Sequence, residues 1–105
     1  MTISLFLKSR DNVFNAEAVY ENGTVTVKKG SHVNTIFANH IRGGKKAKSY
    51  LEDRQYVDEN GLVKKDCTFQ SPSTAAQFVT GSSRNGYLVW KTKEGKKLQE
   101  VIKRI

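Results

Sequence analysis

Few side chains in this sequence could perform covalent catalysis: the chain has one cysteine, Cys67, and two histidines, His32 and His40. A thiol and an imidazole within hydrogen-bond reach form a nucleophile–base pair, but the sequence alone brings neither histidine to the cysteine. A single cysteine beside Phe69 in a β-prone segment is typical of a small core residue. We therefore expect Cys67 to be structural, and we predict no catalytic residue and no enzyme.

Metal ligation and phosphate binding by a glycine-rich loop are also poorly supported. The two histidines and Cys67 have none of the ligand spacings of a zinc site, so we predict neither a metal nor a cofactor. Residues 43–46, Gly-Gly-Lys-Lys, match a phosphate-binding loop only in part, because its first glycine and the hydroxyl residue after the lysine are missing. The carboxylates within residues 52–59 are interpreted as a solvated helix face and a turn.

Charge is the strongest signal in the composition, because 18 Lys and Arg residues outnumber 10 Asp and Glu residues and give a net charge of +8. Such an excess favours a polyanionic partner, nucleic acid above all, although a merely soluble basic surface would look similar. Residues 42–48 are rich in Lys and Arg and contain no acid, and residues 84–105 form a second basic stretch. If the two stretches meet in the fold, they form one positive face.

Length and composition predict a single domain, residues 1–105, with one modest core. A hydrophobic content of 37% and an aromatic content of 10% are typical of a folded chain. No apolar run approaches the roughly 20 residues that span a bilayer, and residues 3–7 are too short for a signal-peptide core. Because a lone cysteine excludes an internal disulfide framework, we expect a reducing, cytoplasmic location and no membrane partner.

Residues 71–81 predict a short helix whose two ends are both marked. Pro72 suits the first helical position, and the hydroxyl of Ser71 can cap the first turn. Gly81 suits the left-handed residue that ends many helices. Beyond this helix, residues 85–86 predict a turn and residues 87–90 a strand.

The remaining segments predict a small α+β domain of antiparallel β-hairpins packed against two or three short helices. Asn22-Gly23 is a strong signal for a tight hairpin turn between residues 14–20 and 24–27. In the strand at residues 87–90, alternation assigns Trp90 to the core and places Tyr87 nearer the surface. The other predicted elements are strands at 3–7 and 62–69 and helices at 47–55 and 96–104. Residues 34–48 are interpreted as a loop that can include one turn of helix.

The segment from Phe69 to Lys91 carries the pattern F-x-S-P-S-x-A-A-x-x-V-x-G-x-S-x-N-G-Y-x-x-W-K. With Gly95 and Leu98, it resembles two related small domains. One is a domain of unknown function often appended to GIY-YIG endonucleases and other restriction-type proteins. The other is the RAMA domain, a restriction-enzyme- and adenine-methylase-associated module proposed to read modified DNA. The sequence Val-Lys-Lys-Gly-Ser at 27–31 favours the first, although Tyr87 stands where that family commonly has Trp.

The resemblance and the charge together predict a non-enzymatic, DNA-associated accessory module linked to restriction–modification or to mobile elements. The resemblance also adds a nuclease or methylase subunit as a candidate protein partner. Tyr87 is a candidate for stacking on a base. Ser71, Ser73 and Asn85 can either donate to a phosphate or base or cap and turn the chain. The competing hypothesis is a protein–protein interaction domain without nucleic-acid affinity. The candidate phosphate contacts are Lys45, Lys46, Lys48, Arg84, Lys91 and Lys93.

Overall fold

The computed structural model describes residues 2–11, 13–34, 45–82 and 84–102, with only the backbone of Lys45 and Lys46. In these residues the chain forms, in order, β1 (Thr2–Lys8), β2 (Asn15–Glu21), β3 (Thr24–Val27), α1 (Lys45–Glu52), β4 (Cys67–Phe69), α2 (Pro72–Thr80), α3 (Gly86–Val89) and α4 (Leu98–Ile102). None of the helices in the described parts of the chain is long and apolar enough to cross a membrane.

The strands form one antiparallel sheet in the order β1-β2-β3-β4. Asn22 and Gly23 join β2 to β3 with φ angles of 50° and 88°, both in the left-handed region that a tight hairpin turn requires. The predicted hairpin and the α+β class are therefore confirmed.

One face of the sheet is apolar and carries the core. β1 and β2 alternate between exposed and buried residues, as a strand with one solvated face does. α2 packs across the apolar face, where the small side chains of Ala75 and Ala76 are fully buried and allow a close approach. The largest fully buried side chains are those of Trp90, Phe69, Phe78, Leu5 and Leu98.

The opposite face, here called the outer face, is open to solvent and mostly polar. Cross-strand partners share a face of the sheet, so the register sets its rows. One row contains Ser4, Val19, Thr26 and Thr68, in which the two threonine hydroxyls are 3.1 Å apart and hydrogen-bonded. A second row contains Phe6 and Glu17.

α1 contacts the free edge of β4 through Tyr50. The Tyr50 ring makes edge-on contacts with Phe69 and Phe78, with centroids 5.3 Å and 5.9 Å apart. Its hydroxyl donates to the carbonyl oxygen of Thr68 and accepts from the amide of the same residue, both at 3.3 Å. Both polar backbone groups at the centre of this edge therefore have a side-chain partner.

The predicted strand at residues 87–90 is wrong, because residues 86–89 form the single helical turn α3. Tyr, Val and Trp favour strands, but this preference yields readily to packing. Here the Asn85 side chain caps the turn by accepting from the Tyr87 amide, and the turn carries Trp90 into the core. Trp90 is fully buried and Tyr87 half-buried, so their predicted environments are confirmed although the element is different.

Other boundaries also differ from the prediction. The predicted strand at 62–69 is too long: the amide of Val63 donates to the Ser31 carbonyl and that of Lys64 to the Tyr56 carbonyl, so β4 begins only at Cys67. The helix predicted at 47–55 is confirmed as α1 with shifted ends, because it begins at Lys45 and ends at Glu52. Residues 35–44 of the predicted loop and the end of the last helix, at 103–104, lie outside the described residues.

Candidate nucleic-acid interface

The start of α2 has the capping geometry that the sequence predicts. Ser71 is extended, with φ −149° and ψ 152°, and its hydroxyl oxygen accepts a 3.2 Å hydrogen bond from the Thr74 amide. At the other end, Gly81 has φ 76° and its amide donates to the Gln77 carbonyl. Ser71 is thus the N-cap of α2, and its side-chain oxygen has an internal partner.

Ser73 and Asn85 connect α2 to α3. The hydroxyl oxygen of Ser73 accepts a 3.0 Å hydrogen bond from the amide of Gly86. The carboxamide oxygen of Asn85 accepts a 3.0 Å hydrogen bond from the amide of Tyr87 and so caps α3. Two of the predicted ligand contacts therefore have structural roles.

Gly86 and Trp90 complete this connection. A Cβ on Gly86 would overlap the carbonyl group of Pro72, so glycine is the residue that fits at this crossing. The indole nitrogen of Trp90 donates a 3.0 Å hydrogen bond to the same carbonyl oxygen. We call the set Ser71, Pro72, Ser73, Asn85, Gly86 and Trp90 the α2–α3 junction. Six of the fourteen fixed residues of the pattern quoted above lie in this junction, and its contacts explain why those six residue types occur together.

Lys91 begins a second structure, made of residues 91–97 and here called the lysine hairpin. Its backbone pairs with Phe6 of β1 through hydrogen bonds of 2.7 Å and 3.1 Å, and it also bridges to Lys97. The chain reverses between them: the Thr92 amide donates to the Lys96 carbonyl at 2.8 Å, and Gly95 has φ 86°. Exposed lysines occupy positions 91, 93, 96 and 97, with one acid, Glu94.

A groove of about 420 Å³ runs between the lysine hairpin and the start of β1. Both walls contribute polar side chains, and the hairpin adds two cations with one carboxylate. A negatively charged ligand that enters this groove would meet a positive wall. The groove is lined by Thr2, Ile3, Ser4, Thr92, Lys93, Glu94, Lys96 and Val101.

The first basic stretch has a different environment where the structure describes it. Lys48 is exposed on α1 and lines a shallow depression with Glu52 and Asp53, whose carboxylates reduce the local positive potential. Lys45 and Lys46 lie in the first turn of α1, and their side chains are outside the described residues.

Arg84, the remaining candidate, is exposed between α2 and α3, and its Nε donates a 2.9 Å hydrogen bond to the Ser82 hydroxyl. α1 and α3 each pack against α2, so that helix links the two basic stretches. That the stretches form one positive face stays a prediction.

Within the described part of the chain, no carboxylate forms an ion pair with the lysine hairpin. Across residues 2–11, 13–34, 45–82 and 84–102, the ion pair that forms joins Lys28 to Glu17 on the outer face, at 3.8 Å. The charges of Lys91, Lys93 and Lys97 are therefore available to an external anion.

Cys67 lies in the core, as the sequence predicts. It is fully buried, its thiol donates to the Lys65 carbonyl at 3.3 Å, and burial, aided by the nearby charge of Asp66, raises its pKa to about 12. At neutral pH the thiol therefore stays protonated, which suits a packing role. His32 is exposed, and His40 lies outside the described residues.

Sequence reasoning missed three residues of this region: Phe6, Lys96 and Lys97. Glu94-Gly95 is a turn signal, and a three-residue loop at 93–95 with Gly95 in the left-handed conformation would have placed Lys97 opposite Lys91. Nothing local marks Phe6, because its pairing with Lys91 joins two distant parts of the chain.

Comparison with known families gives one match. A family model described as a domain of unknown function, DUF4357, matches residues 5–102. No curated protein and no solved structure matches the chain.

Proposed function

The chain belongs to the DUF4357 family of domains of unknown function, and we propose that it is a non-enzymatic accessory module that binds nucleic acid, with DNA as the expected partner. The observation that carries this proposal is the lysine hairpin, where four exposed lysines and one acid share a single tight turn. Cations without internal carboxylate partners release counterions when they meet phosphates, and this release dominates non-specific affinity.

The α2–α3 junction supports the hairpin mechanically. Trp90, fully buried and bonded to Pro72, immediately precedes Lys91, and the Leu98 amide donates to the Trp90 carbonyl at 2.9 Å just after Lys97. Both ends of the hairpin are therefore anchored in the core, so its lysines are presented on a fixed backbone. A rigid presentation loses less conformational entropy on binding than a free tail does.

The remaining candidate contacts fit this proposal as secondary contributors. Arg84, between α2 and α3, and Lys48, on α1, would add phosphate contacts, and Lys45 and Lys46 would extend those of Lys48. Ser71, Ser73 and Asn85 act mainly by fixing the backbone, and Tyr87 supports the α3 turn. A cytoplasmic role beside a nuclease or methylase, linked to restriction–modification or mobile elements, follows from the family resemblance and belongs to the proposal.

Fluorescence anisotropy with a labelled duplex at about 50 mM and about 200 mM salt tests the proposal. The variant K93Q/K96Q removes two hairpin charges, and K64Q/K65Q is its matched control, because it removes the same charge from exposed lysines elsewhere. We expect the hairpin variant to flatten the log–log salt dependence by about 0.9 for each phosphate that the protein no longer neutralises, whereas the control keeps the parent slope.

Two results would contradict the proposal. One is a parent protein that binds neither duplex nor single strand at about 50 mM salt, where non-specific attraction is strong. The other is an equal decrease in affinity in both variants, which would indicate a diffuse charge effect without a site. The first result would favour the competing role, a protein–protein interaction domain.

A further inference from the structure

Phe6 is an aromatic side chain on the solvent-facing side of the sheet. In β1, Ile3, Leu5 and Leu7 point to the core, so the alternate residues Ser4 and Phe6 point outward. Phe6 is half-buried on this outer face. The other large aromatic rings of the sheet, in β2 and β4, pack with the core, so the core does not account for an aromatic residue at this position.

Lysines flank Phe6 on the same face. Lys91 is its backbone pairing partner and Lys97 is the partner of Lys91, so the three side chains form a row across two strand spacings of about 4.8 Å each. Lys8, exposed and two residues along β1, lies on the same face. The ring is therefore bordered by cations along its strand and across the sheet edge.

The acids on this face leave the arrangement positive. Glu17 faces Phe6 from β2, but its carboxylate is engaged by Lys28 at 3.8 Å. Glu21 is opposite Thr2, at the far end of β1. On the Lys91 side of Phe6, the nearest acid in the hairpin is Glu94, at the tip of the turn.

We propose that Phe6 is a base-stacking site for single-stranded nucleic acid, with Lys91, Lys97 and Lys8 contacting the flanking phosphates. An aromatic ring among cations on an open sheet face offers a base a stacking surface and its backbone a positive path. Bases in a duplex are already stacked and paired, so the ring contributes little to duplex binding. This inference rests on the proposed nucleic-acid function and adds a preference for unpaired strands.

Phe6 suits this role better than Tyr87, the aromatic that the sequence suggests. Tyr87 packs against the core and belongs to the α3 turn. Phe6, by contrast, lies two residues from Ser4, which lines the groove beside Lys93 and Lys96. A strand stacked on Phe6 could therefore continue into that groove.

The test compares F6T with V19T. Threonine suits this face, and Val19 is a half-buried apolar residue of the adjacent outer row, so both variants replace an apolar side chain on the same surface. Anisotropy would follow binding of an oligothymidylate of about 15 nucleotides and of a duplex of similar length. We expect F6T to weaken single-strand binding about five- to 150-fold, the range for loss of one stacked base. V19T should leave both affinities unchanged, and F6T should leave the duplex affinity within about twofold.

The F6W variant gives a second, independent readout. It adds an indole on the outer face, since Trp90 is fully buried, and stacking should quench the added fluorescence on titration with the oligothymidylate but not with the duplex. If the parent binds the oligothymidylate and F6T binds it equally, or if F6W is not quenched, the stacking site is wrong and the proposed function stands. An equal loss of duplex and single-strand affinity in F6T would also overturn it. If the parent binds neither probe, the proposed function fails as well.

Discussion

Trp90 and Lys91 are adjacent in the chain but belong to regions with opposite properties. Trp90 ends the α2–α3 junction, where the side chains of Ser71, Ser73 and Trp90 each form a hydrogen bond with a backbone group. Lys91 begins the lysine hairpin, whose backbone is well bonded but whose charges have no internal carboxylate partner among the described residues.

The comparison distinguishes the α2–α3 junction, which stabilises the fold, from the lysine hairpin, which could bind a ligand. The most specific part of the sequence pattern lies in the junction, and its residue types are explained by capping, close approach and one buried indole. The hairpin contributes charge, and Phe6 contributes a half-buried, outward-facing ring that is not part of the core cluster. Changes in the junction should therefore affect unfolding, and changes in the hairpin should affect binding.

Gly86→Ala should have the largest effect on stability. The new Cβ would overlap the backbone of Pro72, which cannot move without shifting α2, so we expect a loss of about 3 kcal/mol or more in the free energy of unfolding. Urea denaturation measures it. Gly95→Ala is the control. Its φ of 86° is strained for alanine, but no atom lies within 4 Å of the added Cβ, so we expect a loss of about 1 kcal/mol in the free energy of unfolding. Equal losses would show that the junction is not closely packed.

Trp90→Phe should follow, with a loss of about 2–3 kcal/mol. Phenylalanine is smaller than the fully buried indole, so it leaves space in the core, and it lacks the N–H that donates to the Pro72 carbonyl. The midpoint of guanidinium unfolding would report the change. Leu88→Ala, at a position 41% exposed in the preceding turn, should cost far less. A similar loss of stability in both variants would show that the buried indole does not stabilise the junction.

Ser73→Ala should cost about 1–2 kcal/mol, because the Gly86 amide would lose its acceptor. Ser71→Ala removes the N-cap bond and the 2.9 Å hydrogen bond between the Ser71 and Thr74 hydroxyls, and a loss of about 1 kcal/mol is expected. Both are measured by thermal or urea unfolding, with nucleic-acid affinity followed in parallel. If either variant lost affinity while keeping full stability, the serine would contact the ligand, and the division between the two regions would fail.

How much of the structure can be predicted from the sequence depends on how far apart in the chain the contacting residues are. α2 is confirmed with both caps because Ser71, Pro72 and Gly81 act on their own backbone neighbours. The strand at 87–90 fails because Asn85 and the crossing with α2 impose a helical turn on β-prone residues. The candidate site shows the same limit: exposed lysines can be read from composition, whereas the row of Phe6, Lys91 and Lys97 exists only through non-local pairing.

Asp58 gives a prediction about pH, with a smaller effect. Asp58 is a half-buried residue whose charged carboxylate accepts internal hydrogen bonds, so it combines properties of the two regions. The amides of Leu62 and Asn60 donate to it at 2.9 Å and 2.8 Å, and these bonds hold its pKa below the ordinary 3.8. Because the folded-state pKa is lowered, its stabilisation is present above about pH 4 and is lost as pH falls through the folded value. Unfolding curves of Asp58→Ala and the parent should converge in acid; a constant difference would contradict this.

The lysine hairpin should show the smallest change in stability. K91Q/K97Q alters exposed charges without an ion pair, so we expect the free energy of unfolding to change by less than about 0.5 kcal/mol while nucleic-acid affinity falls. Calorimetry and anisotropy on the same preparation would show whether the two properties separate. A large loss of stability would mean that the lysine stems support the sheet edge.

The Tyr50 hydroxyl has a consequence for how this protein behaves at high concentration. An open strand edge is a template onto which a second chain can add its own strand, the first step of edge-to-edge aggregation. Tyr50 occupies the amide and carbonyl of Thr68 on one edge of the sheet, and Lys91 occupies those of Phe6 on the other. Burial raises the pKa of Tyr50 above its ordinary 10, which favours the protonated hydroxyl that donates to the Thr68 carbonyl. One side chain and one short backbone pairing thus leave fewer edge groups on which a second chain could add a strand.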